Sequence, residues 1–285
     1  AGNQERRIAV VATSLSDYIF PSLLKDIQSC LAAQGFSVVI HATENAIRRE
    51  REILQQLLLD PPAGILIEGC KTALPNPNAE LYREIQKRGL PMTFLHGNCR
   101  ELPEAFCVGD DNYGGGYLLA SHLLQNGHKK IAGIFKSDDV QGPERYHGMV
   151  CAMRDAGLFP LDENVLWFSS FQRRQLVELQ DESLLQSFLR QQLGGCTAVV
   201  CYNDEIAFHL IRTLLRAGMR VPEDVAVVSF DNSYYSTFGP VSITSAGHAP
   251  HAMGSAAAEN LLSQIRRQPC RSISLPWTLF RRQSG

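Results

Sequence analysis

Short runs of β-branched and other apolar residues recur along nearly the whole chain, each followed by a longer amphipathic stretch at helical spacing. That alternation leaves few architectures open. Parallel strands need a long crossover, usually a helix, so the pattern reads as repeated βαβ units with helices covering a parallel sheet. Strands are expected over 8–13, 37–41, 64–68, 92–95 and 106–108, with helices over 21–34, 44–59 and 79–88 between them. After a helix over 113–125, Gly127-His128 opens a second series. Its strands are expected over 130–135, 165–168, 198–201 and 225–230, and its helices over 144–156, 174–192 and 205–217. The tail adds a strand over 242–245, a helix over 252–267 and a last strand over 274–280, which could join either series. The expected fold class is α/β, with two doubly wound parallel-sheet lobes. No long Gly/Ser tract separates them, so 127–129 reads as a hinge and not as a flexible tether.

Composition narrows the function classes. A chain of 285 residues, 45% hydrophobic, can fill two cores of ordinary size. Its 27 basic and 29 acidic residues leave a net charge of −2, no excess with which to hold a polyanion. The eight cysteines show no C-x-x-C spacing, and Cys107 and Cys201 fall in apolar runs, which reads as buried free thiols in a reducing cytoplasm. No stretch reaches the roughly 18 to 20 apolar residues that a membrane span needs. A polar start at Gly2-Asn3-Gln4-Glu5, just before a strong strand, suggests a chain cut at a hinge.

In open α/β sheets ligands bind beyond the carboxyl ends of the strands. Here those positions are polar: Glu68-Gly69-Cys70-Lys71, Gly109-Asp110-Asp111-Asn112, Lys136-Ser137-Asp138-Asp139-Val140-Gln141, Asn203-Asp204-Glu205 and Asp231-Asn232-Ser233. The first strand runs into Tyr18, Phe20 and their neighbours. Carboxylates and amides exchange hydrogen bonds with vicinal hydroxyls, and an aromatic face covers sugar C–H groups, so the mixture suits a neutral polyol. A plainer alternative stands beside each: Asp110, Asp204 and Asp231 could cap helices or turns, and Tyr18 and Phe20 could be core residues. No G-x-G-x-x-G follows the first strand and no G-x-x-x-x-G-K-[ST] occurs, while Gly114-Gly115-Gly116 sits beside two carboxylates that would repel phosphate. That run reads as packing or a helix start. There is no nucleophile elbow and no zinc helix, and His248 with His251 is a weak metal signal, so neither an enzyme nor a cofactor or metal site is expected.

Several segments together resemble the effector domains of the lactose-repressor family, which share the periplasmic sugar-binding-protein fold. They are Gly127-His128-Lys129-Lys130-Ile131-Ala132, Arg145-Tyr146-His147-Gly148, Asn203-Asp204-Glu205-Ile206-Ala207 and Val221-Pro222-Glu223-Asp224-Val225. The chain is closer still to the arabinose repressors of Gram-positive bacteria at Ser16-Asp17-Tyr18-Ile19-Phe20-Pro21, Phe135-Lys136-Ser137-Asp138-Asp139-Val140-Gln141-Gly142 and Cys201-Tyr202-Asn203-Asp204-Glu205-Ile206-Ala207. The resemblance implies a periplasmic-binding-protein-like, two-lobed, non-enzymatic sensor with a ligand cleft between lobes joined by three crossovers, near 127–129, 246–248 and 269–272. Residues 6–128 with 247–269 would form the first lobe and 129–246 with 270–283 the second. It also implies a cytoplasmic homodimer that reaches operator DNA through an N-terminal reader of the gluconate-repressor type, released or rearranged when a small sugar, L-arabinose or a related pentose, binds. Position by position, Tyr18 and Phe20 look like an aromatic wall and Phe171 like a further wall residue. Arg145 looks like the family's sugar-clamping arginine, and Asn203 and Asp231 like its hydroxyl-binding amide and carboxylate. Glu68, Lys71, Asp138 and Gln141 match the arabinose subgroup's polar pairs, and His248 stands where many relatives carry Gln. The alternative is a sugar-binding protein of a transport system, with an enzyme acting on a sugar as a third reading.

Overall fold

The computed structural model describes residues 6–15, 18–97 and 101–285. The polar start, Ser16, Asp17 and Cys99 lie outside the described residues. The chain begins as β1 (Arg7–Ala12), α1 (Phe20–Ala32), β2 (Ser37–Ala42), α2 (Ile47–Leu59), β3 (Gly64–Ile67), α3 (Ala79–Lys87), β4 (Met92–His96) and β5 (Phe106–Asp110). It continues through α4 (Asn112–Gln125), β6 (Ile131–Lys136), α5 (Gln141–Asp155), β7 (Val165–Phe168), α6 (Ser170–Val177) and α7 (Ser183–Gln191). Then come β8 (Ala198–Cys201), α8 (Asp204–Arg216), β9 (Ala226–Phe230), α9 (Tyr235–Phe238) and β10 (Thr244–Gly247). The last elements are α10 (Ala252–Ile265), β11 (Ile273–Leu275) and β12 (Thr278–Phe280).

Two compact units result. The first holds the described residues up to Asp110 together with Ala249–Leu275, and the second holds Asp111–His248 and Pro276–Gly285. Each is built on a six-stranded sheet, in the orders β11-β5-β4-β3-β1-β2 and β12-β10-β9-β8-β6-β7. All described neighbours pair in parallel except β10 with β12. Successive strand residues face opposite sides, so each apolar run serves two cores. In β1, Ile8, Val10 and Ala12 pack with Leu23, Ile27 and Leu31 of α1 and Leu261 of α10, while Ala9 and Val11 meet Leu54 of α2 and Tyr82 and Ile85 of α3. In β6, Ala132 and Ile134 meet Phe188 of α7 and Leu210 of α8, and Ile131 and Phe135 meet Leu119 of α4 and Met149 of α5. This is the doubly wound arrangement in both units.

Three details depart from the sequence expectation. The single helix expected over 174–192 is two, because Gln180 turns left-handed (φ +55°) and the Asp181 carboxylate accepts from the Ser183 N–H to start α7. The helix α6 begins earlier, at a reciprocal cap in which Ser169 and Gln172 exchange side-chain and backbone hydrogen bonds. The last strand, expected over 274–280, is cut at Pro276, which has no N–H for a ladder, so β11 serves the first unit and β12 the second.

The chain passes between units three times, after Asp110, His248 and Leu275. The lobe boundaries read from the sequence, 6–128 with 247–269 and 129–246 with 270–283, are corrected accordingly. Residues 127–129 are the turn that ends α4, with Gly127 left-handed at φ +91°, and α4 belongs to the second unit because it packs closely on α5. Residues 270–275 stay with the first unit because β11 pairs with β5 and Ser272 Oγ accepts from the Cys107 N–H. Cys201 is buried as expected, whereas Cys107 is half-buried at the rim of its core; the seven described cysteines are free. Among the described residues no helix is long and apolar enough to cross a membrane.

Candidate functional site

The strand ends of the second unit converge on Arg145. It lies one turn into α5, only 2% exposed. Its Nε donates to Asn112 Oδ1 at 3.0 Å, and its Nη1 donates to the Tyr202 carbonyl. The guanidinium carbon sits 4.2 Å from the Phe230 ring centre, 5.0 Å from Tyr202 and 5.3 Å from Trp277. No carboxylate among the described residues pairs with it. A buried cation held by neutral acceptors and ring faces keeps N–H donors for an incoming oxygen.

Close helix packing puts it there. A Cβ at Gly116 would come within 2.0 Å of the Arg145 carbonyl oxygen, and one at Gly148 within 2.0 Å of the Tyr113 carbonyl oxygen. Asp111 caps α4 through the Gly114 N–H at 2.9 Å, which accounts for the glycine run as packing plus a helix start. Gln141 joins the cluster through its Oε1, which accepts from the Tyr202 hydroxyl at 3.0 Å.

Asn203 does two jobs in principle. Its Oδ1 caps α8 by accepting from the Ile206 N–H at 3.0 Å, which leaves the amide N–H groups for a partner. Asp138, 6% exposed, is tied to the first turn of α6 through the Ser170 N–H at 3.0 Å. Beside it Lys136 is buried against Asp139; burial disfavours its charge, but the Asp139 carboxylate outweighs that and holds the ammonium above its ordinary pKa. Asp231 takes a left-handed backbone (φ +99°) and donates its N–H to the Ala246 carbonyl at 2.7 Å. His248 directs Nδ1 to the Pro276 carbonyl at 2.9 Å. Phe171 stands on the first turn of α6, 69% exposed.

In the first unit Glu68 follows β3 and accepts from the Thr13 N–H at 3.0 Å and from its hydroxyl. Lys71 has a left-handed backbone (φ +47°), fixed by the Asn45 carboxamide oxygen on its N–H at 3.1 Å. The loop carrying it is pinned by buried Glu50, which accepts from the Cys70 N–H and from the amides of Asn76 and Asn78. Tyr18 is half-buried. Phe20, 6% exposed, opens α1 on the face that meets the sheet and packs with Leu23 and Ile27 in the core.

Sequence reasoning missed Trp277 and the caps at Asp111 and Asp138. The capping residues had a visible signal, Asp just after a strand, whereas Trp277 is a lone aromatic whose neighbours come from distant segments. Asp204, weighed as a cap, is instead a fully buried acceptor of the hydroxyls of Ser229, Ser233 and Ser245. Burial pushes its pKa up, against the lowering effect of those donors.

The periplasmic binding protein-like domain family matches residues 120–285. The arabinose metabolism transcriptional repressor of Halalkalibacterium halodurans is 32% identical over 265 residues, covering 93% of this chain and 69% of that protein. This chain is an effector-binding domain of the lactose-repressor family. The corresponding repressor of Geobacillus stearothermophilus is 33% identical over 92% of this effector domain and 71% of that protein. Among solved structures, a transcriptional regulator CelR in complex with cellobiose shares the fold at a TM-score of 0.84 and 23% identity, covering 99% of this chain and 86% of that one. A GntR transcription regulator from Chromobacterium violaceum does so at 0.82 and 23%, covering 98% and 99%.

Proposed function

We propose that this effector domain senses L-arabinose or a closely related pentose. The observation that carries the proposal is the buried Arg145, with N–H groups left over and no carboxylate beside it among the described residues. The names of the two bacterial relatives support arabinose as its partner. Arg145 clamps a ring or hydroxyl oxygen, Asn203 donates from its amide, and Asp138, Gln141 and Asp231 accept from hydroxyls. Glu68, Lys71 and Tyr18 supply the contacts from the first unit, and His248 takes the place of the relatives' glutamine. Phe171, exposed on the first turn of α6, is a further wall residue. Phe20 supports the pocket from the core.

Sugar favours one arrangement of a homodimer in the cytoplasm over another, and that differential affinity alters operator binding by a DNA-reading segment beyond this domain. No turnover of the sugar accompanies this. The test is calorimetric titration with L-arabinose, D-xylose, D-ribose and a phosphorylated sugar, beside Arg145→Ala. Selective pentose binding, lost on removal of a buried charged hydrogen bond worth about 2 kcal/mol or more, is expected. Pentose affinity unchanged in Arg145→Ala would overturn the site assignment.

A further inference from the structure

The guanidinium of Arg145 is buried without a counter-charge among the described residues, so its orientation depends on what surrounds it. Two of the three rings around it are fixed by regular elements: Phe230 is a fully buried residue of β9, and Tyr202 directly follows β8. Trp277 is different. It lies in the two-residue link between β11 and β12, and its indole Nε1 is buried without a hydrogen-bond partner among the described residues. No polar contact fixes the ring plane, so packing must.

That packing has three parts. Phe230 meets the indole edge-on at 5.2 Å and 72°. A Cβ at Gly115 would lie 2.6 Å from Cδ1 and 2.7 Å from Nε1, so α4 closes on the ring where it has no side chain. The His248 imidazole stacks on it at 3.9 Å and 27°, while the same imidazole holds the Pro276 carbonyl at 2.9 Å. His248 is the last residue before the chain leaves the second unit, and Pro276 is the first on its return.

We infer that Trp277, braced by His248, is the positioning residue for the Arg145 clamp and ties the clamp to the two chain crossings. Sugar held by Arg145 is thereby coupled to the path of the chain at His248 and Pro276, and by reciprocity a change in that path alters sugar affinity. The affinity half of this rests on the sugar reading above; the positioning half does not.

Two arms separate them. In the first, L-arabinose affinity is measured for the wild-type chain, Trp277→Leu, Trp277→Phe, His248→Ala, Gly115→Ala and Arg145→Lys, and for Trp277→Leu combined with Arg145→Lys. Losing the indole face should weaken binding about tenfold, with Phe restoring most of it. Gly115→Ala, which disturbs the ring from behind, should also weaken binding. In the Arg145→Lys background the Trp277→Leu loss should shrink to about twofold or less, because the residue being positioned is gone. An equal loss in both backgrounds overturns the inference, since a merely structural effect would persist.

In the second arm, with no sugar present, the Arg145 Nε–H signal is followed by ¹⁵N NMR and assigned by its absence in Arg145→Lys. Its solvent exchange should speed up in Trp277→Leu and His248→Ala. Unchanged exchange in both overturns the positioning role. If L-arabinose fails to bind the wild-type chain, the sugar reading falls and this arm alone decides the inference.

Discussion

At the residue scale, capping and binding compete for the same side chains, and Asn203 shows how they can be separated. Its oxygen is committed to α8, and its amide is the part proposed to meet sugar. Asn203→Asp keeps the cap and loses the donor. It is expected to change thermal stability by only about 0.5 kcal/mol while weakening sugar binding about tenfold, whereas Asn203→Ala also loses about 1 kcal/mol of stability. Equal affinity of the Asp variant and the wild type by calorimetry would assign Asn203 to the cap alone. His209 makes a second residue-level prediction. It is 4% exposed on α8, its Nδ1 has no partner among the described residues, and burial, then Arg212 and Arg173 against the opposing Glu182, lowers its pKa to about 4. The unfolded imidazole takes its proton near 6.5 and the folded one near 4, so the unfolded state binds more protons in that window. The His209 contribution is therefore complete above pH 6.5 and is lost as pH falls towards 4. Urea unfolding at stepped pH should show that slope in the wild-type chain and a flatter one in His209→Leu. Arg145, Asn203 and Gln141 were singled out by the family resemblance and by their places at strand ends and helix starts, and the structure brings Arg145 and Gln141 together around Tyr202. Trp277 was not, because its importance comes from ring contacts with Phe230, His248 and Gly115, far apart in the chain.

At the element scale, the strands were the most legible part, since runs such as Ala198-Val199-Val200-Cys201 are β-branched, short and buried on both faces. Helix breaks were harder. Gln180 carries no residue-type signal for its left-handed turn, and one side chain bond from Asp181 suffices to restart α7. Crossings were hardest, because unit membership depends on which helix packs on which. The contact of α4 with α5 decides it, and it rests on the absence of side chains at Gly116 and Gly148. Gly148→Ala would drive a methyl into the Tyr113 carbonyl, so the helices must part. The variant is expected to lose about 1 to 3 kcal/mol or more in denaturant unfolding. It should also weaken sugar binding, since Arg145 and its acceptor Asn112 sit on the two helices that separate. A Gly148→Ala protein with wild-type stability would mean that α4 and α5 relax apart freely.

At the scale of the whole molecule, interleaving itself should couple the two units. The second unit is completed by Pro276–Gly285, which follows Ala249–Leu275 of the first. If the first unit unfolds alone, the second must close a flexible loop of roughly thirty residues to keep β12 on β10, at an entropic cost of about 3 kcal/mol. Unfolding of the second unit imposes a longer loop, and a slightly larger cost, on the first. Against a total stability of roughly 5–15 kcal/mol, that linkage is large enough to merge two transitions into one. Leu261→Ala offers the test: Leu261 is fully buried in the first unit's core, and its truncation should cost about 2 to 5 kcal/mol there. Both tryptophans, Trp167 and Trp277, belong to the second unit, so their emission reports that unit while far-ultraviolet circular dichroism reports both. The expected result is a single transition in Leu261→Ala, with tryptophan emission shifted to lower denaturant by the same amount as circular dichroism. An emission transition that stays at its wild-type midpoint while circular dichroism splits in two would show that the linkage is weaker than loop closure predicts. The units would then unfold as independent bodies.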